Sequence, residues 1–273
     1  MAVGENRIED MESYTQAMSK SMIDKMFFMD KIDESVTTLL DYGCADAVLI
    51  SNLARLFPGM TYVGYDLDEE MIEKAKKRCE GLENVVLFSS LAEFRAWAAE
   101  TGLDVKKTAL NLSSLIHEVY SYGTAESIDA FWHFVTESGF GYLVIRDMCL
   151  DDSAHRPSLK EDVIKVKSGY DHALLAQFES LHGTITDNRN LIHFLLKYRY
   201  LDNWEREVHE NYLPVSVEEI MGKISAASAK YRLIYFDHYI LPYLARTVKK
   251  DFDITLKDYT HVKFVYELGS LAG

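Results

Sequence analysis

The sequence predicts an α/β protein, a doubly wound and mostly parallel seven-stranded sheet with a helical insertion over its cleft. Three observations carry this. Residues 37–68, TTLLDYGCADAVLISNLARLFPGMTYVGYDLD, hold an apolar run ending in Asp41, a glycine turn (Gly43, Cys44, Ala45), an amphipathic stretch (Val48, Leu49, Leu53, Leu56) and a second apolar run ending in Asp66. That is the strand, turn, helix and strand of a first βαβ unit. Apolar runs at 85–88, 108–112 and 142–148 continue the pattern. More than 80 residues then separate Met148 from Tyr231, where a crossover helix needs only about a dozen.

At 273 residues with 48% hydrophobic content, the chain can bury one substantial core and a small accessory unit. A net charge of -14 excludes a surface that is wholly an electrostatic trap for nucleic acid or acidic membrane. Cys44, Cys79 and Cys149 are too scattered for a disulfide framework or a metal-ligand spacing, so a reducing, cytoplasmic setting is expected. The N-terminal MAVGENRIEDMESY lacks an apolar signal core, and no apolar run approaches the roughly 18 to 20 residues of a membrane span.

Taken in order, residues 5–32 carry Met18, Met22, Met26 and Phe27 at helical spacing, which predicts a helical cover over residues 1–36. Tyr14 and Lys20 can reach the cleft from it, or the stripe simply closes the sheet. After the second strand, Asp68 caps a helix whose first-turn Glu69 and Glu70 suit its dipole. The third strand (85–88) ends at Ser89-Ser90 and the fourth (108–112) at Asn111, before Ser113 and Ser114, either of which can start the next helix. The fifth, YLVIRDM, has a continuous apolar start that reads as buried on both faces, and brings Arg146 and Asp147 toward the cleft. Helical stretches near 159–167, 170–182, 189–200 and 202–211 fill the long interval. A Ser216-x-x-Glu219 capping box then announces the regular crossover helix. Runs at 232–241 and 261–268 supply the last two strands. The expected organisation is a core of 37–149 and 214–273, with 150–213 as a lid that shapes the substrate pocket.

Ligands of open parallel sheets sit outside the carboxyl ends of the strands, so Gly43 and Asp66 face one crevice. An acid about 20 residues past the first glycine is placed to hold a ribose diol. A dinucleotide is disfavoured: its fingerprint would need glycine at Ala45 and Val48, and no Lys or Arg lies between Lys31 and Arg55 to neutralise phosphates. A nucleoside without phosphate fits better.

On Asp41, Gly43, Ala45 and Asp66 the sequence resembles the class I S-adenosylmethionine-dependent methyltransferases, whose first motif is an apolar strand followed by Asp/Glu-x-Gly-x-Gly/Ala. The resemblance covers about 1–149 and 214–273 and implies a Rossmann-like fold and S-adenosyl-L-methionine as cofactor. It implies that Gly43 lies against the methionine part and that Asp66 binds both ribose hydroxyls. Asp41, Ala45, Leu67, Ser90, Asn111 and Tyr14 complete the expected cofactor set. The family's usual final glycine is replaced here by Asp46-Ala47.

The loop after the fourth strand is chemically dense. His117 is the expected catalytic residue, a general base with an ordinary pKa near neutrality, or else a ring that bonds its own helix or orients Tyr120. Glu118, Tyr120, Tyr122, Arg146, His155, Arg156 and Tyr212 form the expected substrate set. No metal site is expected: Asp171 and His172 stand together, but no further ligand follows at suitable spacing. The acceptor is expected to be a small molecule methylated on oxygen or nitrogen. RNA is the second class, because Arg189, Lys197, Arg199 and Arg206 alternate with Phe194, Tyr198, Tyr200 and Trp204. A non-catalytic binding module on the same fold is the third.

Overall fold

The computed structural model describes residues 21–227 and 230–269. Its first elements are α1 (Met22–Lys25) and a 3-10 turn at Phe27–Asp30. The sheet begins with β1 (Thr38–Tyr42), α2 (Val48–Leu56), β2 (Thr61–Tyr65), α3 (Glu69–Arg78), β3 (Val85–Phe88) and α4 (Leu91–Thr101). It continues through β4 (Thr108–Ser113), α5 (Ile116–Tyr122), α6 (Ala125–Glu137) and β5 (Tyr142–Met148). The interval contains α7 (Lys160–Gly169), α8 (His172–His182), α9 (Asn188–Lys197) and α10 (Trp204–His209). Then come α11 (Val217–Ala227), β6 (Tyr231–Tyr239), α12 (Pro242–Phe252) and β7 (His261–Leu268).

The seven strands lie in the order β3-β2-β1-β4-β5-β7-β6. The first five pair in parallel, while β7 runs antiparallel to both β5 and β6. Order reverses between β1 and β4, the place where open sheets bind ligands. Register there aligns Asp41 with Gly64 on one side and Asn111 on the other, and sets Ser113 beside Arg146.

Alternate residues of the strands feed two cores, as the two-sided apolar runs require. Leu40, Val63, Leu110 and Ile145 pack against α6 and α11. Leu39, Tyr62, Ala109 and Val144 pack against α2, α3 and Phe28 of the N-terminal turn. The expected caps form: Asp68 accepts from the amides of Glu70 and Met71, and Ser216 and Glu219 bond reciprocally.

The insertion has a core of its own, with Phe178, Leu191, Phe194, Tyr198 and Trp204 packed against Val248 and Phe252 of α12. It is therefore tied to the β6–β7 connection as well as to the β5 side. Lys197 lies inside it, fully buried, and Arg206 has a side chain only 7% exposed. The alternating basic and aromatic residues of 189–206 thus point largely inward. Their helical spacing is that of an amphipathic helix face packed into this core, although Lys197 and Arg206 turn inward with it, while Arg199 and Tyr200 stay exposed. Among the described residues no helix is long and apolar enough to cross a membrane.

Candidate active site

The turn after β1 is built backbone first. The amides of Gly43 and Cys44 both donate to the carbonyl of Tyr65, at 2.7 and 3.0 Å. Gly43 has φ +83°, and a β-carbon there would lie 2.6 Å from Leu115 Cδ1. Ala45 and Ala47 also have positive φ, 47° and 57°, so the two positions where the motif tolerates or prefers glycine carry left-handed alanines here. Asp66 closes the crevice from β2, one oxygen accepting from the amide of Ala45 at 2.8 Å and the other from that of Asp68 at 3.0 Å. Burial pushes its carboxyl up to about 6, against the pull of those two amides.

Asp41 is buried at the floor and accepts from Asn111 Nδ2 at 2.7 Å. Burial raises it too, to about 6. Lys25 enters from above, 3% exposed, with its ammonium pushed down to about 8 by burial in spite of the charges of Asp41, Asp147 and Glu118. Met22 and Lys25 of α1, with Asp41, Gly43 and Ser113, enclose a cavity of about 20 Å³. Helix α1 thus forms a strap over the crevice, latched by Asp24, which accepts from Arg146 Nε at 2.9 Å, Lys263 Nζ at 2.6 Å and the Tyr239 hydroxyl at 2.6 Å.

The second half of the site lies at the ends of β4 and β5. Asp147, 1% exposed, caps α5 from a neighbouring strand: its Oδ2 accepts from the Ile116 amide at 2.7 Å. Its Oδ1 lies 2.6 Å from His117 Nδ1. The role expected of Ser113 or Ser114 as cap is thus taken by Asp147, and Ser114 instead accepts from Arg146. Burial opposes a charged His117, but the charge and hydrogen bond of Asp147 prevail and push the ring up to about 9. The pairing with Asp147 therefore favours the protonated ring.

Segment 207–213 of the insertion is delivered against this dyad. Ser121 Oγ accepts from the Asn211 amide at 2.8 Å, Lys197 donates to the carbonyls of Glu207 and Glu210, and His193 Nε2 accepts from the Tyr212 amide at 3.1 Å. Tyr212 stands edge-on to His117 with centroids 5.5 Å apart, and its hydroxyl donates to Glu207. Arg206 bridges Glu118, Glu207 and Glu210 at 3.3, 2.7 and 3.3 Å. Burial, and then the neighbouring Glu118, raise Glu210 to about 7.

Of the residues singled out in the sequence, Asp41, Gly43, Ala45, Asp66 and Asn111 come together, as do His117, Glu118 and Tyr212. Tyr122 is one helical turn beyond Glu118. Leu67 is exposed beside Asp66, and Ser90 spends its hydroxyl capping α4 through the Ala92 amide. Tyr14 and Lys20 lie outside the described residues. Three substrate candidates are placed elsewhere. Tyr120 accepts from Trp132 Nε1 in the core between α5 and α6, because its position on α5 faces α6 rather than the crevice. Arg156 is held by Asp258, and His155 lines a separate cavity of about 220 Å³ with Arg189 and Ser216, where the insertion rejoins the sheet. Arg146 does reach the site but is committed to Asp24 and Ser114.

Lys25, Glu207 and Lys197 were not singled out as site residues in the sequence, yet two of them carried a signal. Lys25 follows Met22 by three positions and Lys197 follows Phe194 by three, so each is a charge placed on an apolar helical stripe. A buried charge must have partners, and here those partners are the site.

With this geometry in place, the chain can be set beside known proteins. Residues 33–120 match the family model described as a methyltransferase domain. The matched stretch, 88 of the 273 residues, is similar to a methyltransferase domain. The chain's fold is shared with a structure described as a SAM-dependent methyltransferase from Anabaena variabilis, at 10% identity and a TM-score of 0.50 over 98% of each chain. YcgJ from Bacillus subtilis gives 14% identity and a TM-score of 0.50, over 90% of this chain and 98% of that one. The pyocyanin biosynthetic protein PhzM gives 11% and 0.52, over 94% of this chain but 57% of that one. No curated protein matches the sequence. The matched stretch contains the glycine turn, Asp66, β4 and His117, so the methyltransferase motif and the crevice coincide.

Proposed function

We propose that the protein transfers a methyl group from S-adenosylmethionine to an oxygen or nitrogen of a small-molecule acceptor. The observation that carries this is the crevice at the β1–β4 reversal, where a glycine turn, the buried Asp66 bonded to it, and a buried Lys25–Asp41 pair of opposite charges meet. The chemistry of these residues fits the cofactor. Asp66 would accept from the ribose hydroxyls, while Lys25 and Asp41 could take the carboxylate and the ammonium of the methionine end. Asn111 Oδ1 and Ser113 Oγ are buried without hydrogen-bond partners among the described residues, and buried polar atoms of this kind await a ligand. Space does not fit with the strap in place. A cavity of about 20 Å³ is far below the roughly 300 to 1,000 Å³ of small-molecule pockets, so α1 must withdraw for entry.

Bound there, the cofactor supplies an electrophilic methyl on a sulfonium. The chain's own residues do the positioning, which is worth much of the rate in a displacement. Segment 207–213 closes the acceptor end, and the Tyr212 ring excludes water from His117. Asp147 fixes the His117 ring by Nδ1 and leaves Nε2 for the acceptor. The burial of Lys197 and Arg206 supports a small acceptor over RNA. The test is release of S-adenosylhomocysteine on incubation with hydroxylated and amine-bearing small molecules. Tight cofactor binding with no product across such a panel, and with oligoribonucleotides also inert, would instead favour a non-catalytic binding module.

A further inference from the structure

The acceptor end of the crevice holds more acceptors than donors. One donor atom each from His117, Glu118 and Glu210 lies within 4.8 Å of the other two. His117 is 5% exposed and Glu210 1%, with Glu118 partly buried. We propose that these three residues bind one divalent first-row metal ion. The proposal rests on the reading of this end as the acceptor site, and it adds the means by which an acceptor oxygen or nitrogen would be held.

Each ligand has capacity left over. Asp147 occupies His117 Nδ1 at 2.6 Å, and Nε2 makes no hydrogen bond among the described residues. A carboxylate on the far nitrogen is the usual way a ligating imidazole is oriented. Arg206 Nη2 meets Oε1 of Glu118 and Oε1 of Glu210, each at 3.3 Å. The second oxygen of both glutamates has no hydrogen bond among the described residues. The Tyr122 hydroxyl, on the same face of α5 as Glu118, is buried and likewise unpartnered.

Charge points the same way. With the His117 ring neutral, the four carboxylates Asp147, Glu118, Glu207 and Glu210 outnumber the cationic side chains that act on them, Arg206, Lys25 and Lys197, and burial lowers the Lys197 ammonium to about 7. A divalent ion would balance that excess, with the His117 ring giving up its proton to bind it. One imidazole and two carboxylates suit Mn²⁺, Fe²⁺ or Zn²⁺ better than the all-oxygen ions Ca²⁺ and Mg²⁺. Bonds of about 2.1 Å place ligand atoms roughly 3 to 3.5 Å apart, so the donors would draw in, Glu118 having the freedom to do so. Three protein ligands leave coordination positions open for an acceptor atom, the pattern of catalytic rather than structural sites. The ligands come from α5 and from the segment after α10, so an ion here would also clamp the insertion to the sheet.

The experiment is titration of the chelator-treated full chain with Mn²⁺, followed by the loss of the free-ion paramagnetic resonance signal. One saturable ion per chain is expected. Glu118→Gln and Glu210→Gln should weaken it at least 10-fold, and Asp147→Asn by roughly 10- to 100-fold through the His117 ring. Melting curves identify any variant that fails to fold, and Glu118→Gln, the least buried, keeps the test open in that case. No saturable binding at millimolar Mn²⁺, or equal affinity in the folded Glu118→Gln protein, would overturn the proposal. Failure of the two readings is distinguishable: methyl transfer that persists in excess chelator rejects the ion alone. A stoichiometric ion without any S-adenosylmethionine binding rejects the methyltransferase reading alone.

Discussion

Replacing Asp24 with Asn should open the cofactor crevice at a measurable cost in stability. Asp24 takes three contacts, from Arg146, Lys263 and Tyr239, at 2.9, 2.6 and 2.6 Å. Arg146 and Lys263 have side chains only 5% and 11% exposed. Removing one member of a buried ion pair costs about 3 to 5 kcal/mol, and the asparagine retains one or two neutral hydrogen bonds, which brings the loss to roughly 2 to 3 kcal/mol. Burial opposes the charge on Asp24, but Arg146, Lys263 and Tyr239 hold its carboxyl below the usual range. The wild-type latch is therefore intact at neutral pH and is lost only as the medium is acidified through that lowered value. The part of this energy that holds α1 down sets the open fraction, and each ~1.4 kcal/mol is a factor of ten. The on-rate for S-adenosylmethionine, read by stopped-flow tryptophan fluorescence, should rise at least 10-fold in Asp24→Asn while urea denaturation shows the stability loss. An unchanged on-rate in a folded Asp24→Asn protein would refute the strap as a gate.

Other outcomes follow from the same geometry. Gly43→Ala should destabilise by about 2 kcal/mol in urea denaturation, from left-handed strain of roughly 1 to 2 kcal/mol and the contact with Leu115, whereas Ala45→Gly should be neutral or stabilising by up to about 1 kcal/mol. Because burial raises both Asp41 and Asp66 to about 6, their ionisation weakens the fold as pH rises from about 4 to about 6. S-adenosylmethionine affinity should run the other way, falling between pH 7 and pH 5 as Asp66 gains a proton, and a flat calorimetric profile over that range would contradict the assignment. Lys197→Met should cost about 2 to 4 kcal/mol in thermal or chemical denaturation. Neither wild type nor an Arg199→Ala variant should bind oligoribonucleotide with a steep salt dependence, as an exposed basic surface would.

Most of the fold was legible because strands buried on both faces announce themselves as continuous apolar runs. The ranges 85–88, 142–148 and 261–268 fall on β3, β5 and β7, and the caps at Asp68 and Ser216 fall where the side-chain pattern put them. The meeting of Gly43 and Asp66 was legible for a related reason. Gly43 and Asp66 are fixed by the local geometry of one βαβ unit, so their separation in the sequence already encodes their meeting.

The surroundings of His117 depend on contacts between distant segments. Nothing near His117 in sequence reveals that Asp147 will cap its helix and hold its ring, since that follows from β5 lying beside β4. Nor does the insertion reveal which of its charges turn inward. Lys197 and Arg206 read as a basic surface because periodicity identifies a stripe but not what covers it. The inversion arises from Glu207 and Glu210, whose backbone carbonyls and carboxylates solvate those cations inside the 150–213 segment.

The most direct test of the central claim is isothermal titration of the intact chain with S-adenosylmethionine, beside the same titration of Asp66→Ala. Charge-assisted hydrogen bonds from the ribose are worth roughly 1.5 to 3 kcal/mol each. The account predicts one site per chain in the wild type and an affinity lower by about 10- to 100-fold or more in the folded variant. Absence of binding to the wild type, or equal affinity in the two proteins, would contradict it.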